Sequence, residues 1–105
     1  SPKDYIRSIL IIELAKTYKN ADNAFRALDH QGKGYVEIKD FLRSKIIFKM
    51  PFSLDDLKLY LETESVFRKQ PNLIFEIFQQ QFFPERLFMA EEKEERIESQ
   101  DSSLQ

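Results

Sequence analysis

The chain of 105 residues has no cysteine, no tryptophan, a single histidine and only two glycines. Without cysteine there can be no disulfide, thiolate zinc centre, iron–sulfur cluster or cysteine nucleophile. One histidine excludes metal sites built from several imidazoles. No apolar run approaches the roughly 18 residues that cross a bilayer, so no membrane span is expected. Positive charge is not in excess either. The 16 Lys and Arg against 18 Asp and Glu leave a formal charge of −2, the opposite of what a phosphate-neutralising, nucleic-acid-binding surface needs. Ser1-Pro2-Lys3-Asp4 lacks the form of a secretory leader. No nucleophile elbow, phosphate loop or metal-ligand motif occurs, so no enzymatic activity is expected.

What the chain does hold is unevenly spread. Hydrophobic residues make up 42% and charged residues 32%, ordinary for a globular domain long enough for one core. Of ten phenylalanines, six (Phe67, Phe75, Phe78, Phe82, Phe83 and Phe88) fall between 67 and 88. Both glycines, Gly32 and Gly34, lie in one stretch. Backbone freedom is therefore concentrated in one loop and side-chain bulk in one segment.

Helical periodicity runs through most of the chain. Ile6, Leu10, Leu14 and Tyr18 recur at i, i+4, predicting a helix from Asp4 to about Lys19, and Ile9, Ile11 and Ile12 make it apolar nearly all round. Asn20 or Asp22 caps a new helix through Ala24, Phe25 and Leu28, or the first helix runs on. After the loop at 29–34, Tyr35-Val36-Glu37-Ile38 is briefly β-prone. A helix is predicted from about Ile38 to Phe48, ended by Pro51. Ser53 with Asp56 forms a near capping box for a helix over Leu54 to Glu64. Pro71-Asn72 is read as the start of a further helix to about Phe83, with Pro84 as its stop. The pair Asp55-Asp56 is accounted for by the N-terminus of the helix over Leu54 to Glu64, where negative charge is favourable.

The segment from Ala24 to Leu42, with Asp29-His30-Gln31-Gly32-Lys33-Gly34 at its centre, resembles an EF-hand. In that alignment Asp29 is loop position one, Gly34 the glycine at position six, Val36 position eight and Asp40 position twelve, with Phe41 opening the core face of the exiting helix. The resemblance implies a metal set of Asp29, Gln31, the Tyr35 carbonyl, Glu37 and Asp40. Calcium takes about 6–8 oxygens from such a loop. Here Lys33 puts an ammonium at position five, and Asp40 is a methylene shorter than the usual Glu. The site is thus expected to be weak or vestigial, with no cofactor, or with calcium or magnesium at low affinity. The alternative is that Lys33 replaces the ion by pairing with Asp29, Glu37 or Asp40. His30, at position two, faces solvent in such a loop.

A partner hand is expected with Leu73 at position eight and Phe78 in the place of Phe41. Its ligand positions would be Val66, Arg68 and Gln70, which cannot hold a cation, so it would survive only as a pairing surface with Leu73-Ile74 antiparallel to Tyr35-Val36. The expected fold is all-α: a degenerate EF-hand pair of four helices with a short two-stranded loop pairing, an extra N-terminal helix and a C-terminal helical extension. Residues 1–90 would form the single domain and 91–105 an acidic, partly disordered tail. Glu91–Glu98 is read as a solvated helix end that also suits steering of a basic partner.

The resemblance implies a small structural or adaptor subunit that binds another protein through an amphipathic helix or apolar groove. A calcium- or magnesium-modulated regulator using loop 29–40 is the alternative. Candidate partner-binding residues are Ile11, Ile12, Phe82, Leu87, Phe88 and Met89, unless the two end segments pack inside the domain. The family implies a cytoplasmic setting, with cytoskeletal and ciliary assemblies as candidates.

Overall fold

A computed structural model describes residues 2–84, with the Pro2 side chain left aside. The described residues are all-α. They form α1 (Pro2–Tyr18), α2 (Ala21–Leu28), α3 (Ile38–Leu42), α4 (Leu54–Thr63) and α5 (Phe75–Phe82), with 3-10 turns at Lys45–Lys49 and Val66–Arg68. No helix among them is long and apolar enough to cross a membrane. Leu87, Phe88, Met89, the acidic run and the proposed boundary at residue 90 lie outside the described residues.

The first helix ends rather than running on. Lys19 takes a left-handed φ of 77°, and its N–H still reaches the Ala15 carbonyl at 3.0 Å. Asn20 then caps α2, its side chain accepting from the Asn23 N–H at 2.8 Å. Of the two candidate caps, Asn20 is the one used, because its extended backbone places Oδ1 over the first free amides. Ser53 caps α4 through the Asp56 N–H at 3.1 Å.

Two predicted helices are shorter than expected. The helix over 38–48 stops at Leu42. Ser44 Oγ donates to the Phe41 carbonyl at 2.7 Å, and Ser44 turns to extended backbone. The chain re-enters as the 3-10 turn that buries Ile46 completely. A hydroxyl that satisfies a helical carbonyl competes with continuation of the helix. The helix expected from Pro71 begins only at Phe75. Pro71 and Asn72 instead form a bend, Leu73 forms a single antiparallel bridge with Val36, and Ile74 is extended. Both of its backbone groups are spent there (Val36 N to Leu73 O and Leu73 N to Val36 O, 2.9 Å each). A helix beginning at Pro71 would have needed the Leu73 carbonyl internally.

The bridge relates two similar halves. Glu37 and Ile74 each follow a bridge residue and serve as N-caps with extended backbone, and Phe41 and Phe78 follow at matching positions, both fully buried. Phe41 packs on Phe67, Phe78 and Phe82 with centroids 5.1–6.3 Å apart. Phe25 adds edge contacts to Phe75 and Phe78. Such ring pairs stabilise beyond the area they bury, by about 0.5–1.5 kcal/mol each. Leu10 and Leu14 of α1, Ala24 and Leu28 of α2, and Leu57 and Leu61 of α4 complete the core. The N-terminal helix is thus part of the domain. The Arg7 guanidinium also ties it to the Gln81 carbonyl of α5 at 3.4 Å.

Candidate functional site

The loop at 29–40 is built from its first residue. Asp29 ends α2, its N–H donating to the Phe25 carbonyl at 2.8 Å. Its carboxylate then holds the loop by two backbone amides: Oδ1 accepts from Lys33 N–H at 2.8 Å and Oδ2 from Gly34 N–H at 2.7 Å. That wrap requires left-handed backbone at both glycines, with φ of 68° at Gly32 and 87° at Gly34. A side chain is disfavoured there by the dihedral, not by crowding, since nothing lies within 4 Å of a Cβ built at either position.

The Lys33 ammonium turns inward. Its Nζ donates to Glu37 Oε2 at 2.8 Å and to Asp40 Oδ2 at 3.3 Å, and lies 5.1 Å from the centroid of the Tyr35 ring. Asp40 is buried at 3% exposure, and its Oδ2 also accepts the Glu37 N–H at 2.8 Å. Glu37 receives a second cation, Lys39, at 3.2 Å. The Glu37 hydrogen bond, followed by the Asp40 contacts, holds the Lys33 ammonium above its ordinary pKa. The Lys33 hydrogen bond, and then that of Lys39, holds the Glu37 carboxyl below its own.

Three of the five expected ligands, Asp29, Glu37 and Asp40, therefore have their carboxylates engaged by amides or ammonium groups. Gln31 is exposed and Tyr35 half-buried. Among the described residues, no group of three or more His, Asp or Glu is disposed to hold a metal ion. In this arrangement a lysine bridges the two carboxylates, Glu37 and Asp40, that would close around a divalent cation. Of the three partners open to Lys33 in the sequence, it takes Glu37 and Asp40, while Asp29 is given to the backbone.

The candidate partner residues divide. Ile11 and Phe82 are buried at 5% and 2% exposure, so they serve the core and present no face. Ile12, next along α1, is 47% exposed. The sequence reading missed the role of Lys39 and the use of Asp40 as a cap. The pattern Glu37-x-x-Asp40 at the start of an apolar helix was the available signal. It also missed Phe48, assigned to a helix but in fact 85% exposed at the 3-10 turn.

The chain matches no protein-family model, no curated protein and no solved structure.

Proposed function

We propose that this chain is a metal-independent protein-interaction module, built on an EF-hand-like pair of helical hairpins whose one ion loop is closed by its own lysine. The observation that carries this reading is the position of Lys33 Nζ, within hydrogen-bonding distance of both Glu37 and Asp40. A covalently tethered cation neutralises the loop at all calcium concentrations, so the scaffold keeps one shape and offers no ion-driven switch. The antiparallel exchange at Val36 and Leu73 supports the pairing of the two halves.

In this role the protein is a structural or adaptor subunit of a cytoplasmic assembly, of the cytoskeletal or ciliary kind that metal-free EF-hand relatives join. It works by presenting a fixed apolar surface that includes Ile12. The test is retention of partner proteins on the immobilised full chain in chelator and in calcium. The same proteins retained in both conditions supports a constitutive module. Retention that requires calcium contradicts it.

A further inference from the structure

The 3-10 turn at Lys45–Lys49 carries an exposed aromatic side chain in a basic setting. Ile46 anchors the turn in the core at 0% exposure, while Phe48 stands out at 85%, the highest exposure of any large apolar residue described. Lys45 and Lys49 flank it at the ends of the turn, and Arg43 precedes it. No carboxylate among the described residues lies within ion-pair distance of these three cations. Beside the turn is an open depression of about 440 Å³, lined by His30, Arg43, Ser44 and Lys45 together with Tyr18, Ala27, Leu28 and Asp40. Its one acid, Asp40, is already occupied by Lys33 and the Glu37 amide.

We infer that this turn is a docking surface for an anionic phospholipid bilayer, with Phe48 entering the interface, Lys45, Lys49 and Arg43 pairing with lipid phosphates, and the adjoining depression receiving a headgroup. A lone protruding ring suits a medium that accommodates it without a preformed pocket. A protein partner would instead have to supply a fitted, desolvated cavity. Each cation near a negatively charged leaflet strengthens binding by about fivefold, and burying an aromatic ring adds an apolar contribution. The contact is peripheral, and it is separate from the interaction role proposed for Ile12.

The test is co-sedimentation of the full chain with phosphatidylcholine vesicles, with and without phosphatidylserine. Binding is expected only to the vesicles containing phosphatidylserine, and it weakens as salt is raised. Phe48→Ser should lower the partition coefficient about tenfold, and Lys45→Gln with Lys49→Gln about 25-fold. Helical content and melting temperature should be unchanged in both variants, since these side chains are exposed. Equal partition onto both vesicle types overturns the proposal. So does a Phe48→Ser variant that binds as the unmodified chain does, or binding to immobilised polyglutamate with none to vesicles.

Discussion

Val36 and Leu73 exchange both of their backbone hydrogen bonds at 2.9 Å, and neither side chain has any exposed surface. This single bridge is where the two halves of the domain are tied across the loops. Its strength lies less in two hydrogen bonds, each a net of about 1 kcal/mol, than in the apolar burial on either side of them.

Leu73→Ala should therefore cost about 2–5 kcal/mol, the range for a leucine truncated in a core that cannot collapse. Ile74→Ala, one residue on but 54% exposed, should stay within about 0.5 kcal/mol. Urea unfolding of the two variants gives the comparison. A small cost for Leu73→Ala would mean that the halves are not joined there.

Gly34 sits at a φ of 87° with open space where a Cβ would be. Gly34→Ala should lose about 1 kcal/mol, all of it from the dihedral. Gly34→Asn should lose less, since asparagine visits the left-handed region more readily. Equal losses for the two, measured by thermal melting, would point to a steric cause.

The helical class, the α4 cap and the contact between the two loops were legible in the sequence because each rests on local chemistry. Ser53 three residues before Asp56 is a cap wherever it occurs, and a glycine at Gly34 announces a left-handed turn. The boundaries at Leu42 and Phe75 were not legible, because tertiary demands decided them. Ile46 had to reach the core, and Leu73 had to give its amide and carbonyl to a residue far along the chain. For the candidate site, the sequence showed that an ammonium occupies the loop but not which carboxylates it meets. That depends on Asp29 being taken up by backbone amides, a matter of loop closure that spacing alone does not reveal.

Stability should fall at both ends of the pH range. Glu37 is held below its ordinary 4.5, foremost by the hydrogen bond from Lys33. Its contribution is present above that value and is lost as pH falls through the lower folded-state pKa. Lys33 is held above its ordinary 10.5, so its contribution is present below that value and is lost as pH rises through the raised one. Burial raises Tyr18 and Tyr60 above 10.0, and they add to the alkaline loss in the same sense. Melting temperature followed across pH should thus show a plateau between these limits. In Lys33→Met the acid limb should shrink, although Lys39 still holds Glu37. An unchanged acid limb would mean that the ion pair does not contribute to folding.

The most direct measurement is the melting temperature of the unmodified chain with millimolar calcium or with chelator, alongside a Lys33→Asp, Asp40→Glu variant that restores an oxygen-donor set. With Lys33 lodged between Glu37 and Asp40, the unmodified chain should melt at the same temperature in both conditions, and the variant should be stabilised by calcium. A rise in melting temperature on adding calcium to the unmodified chain would contradict the tethered-cation site.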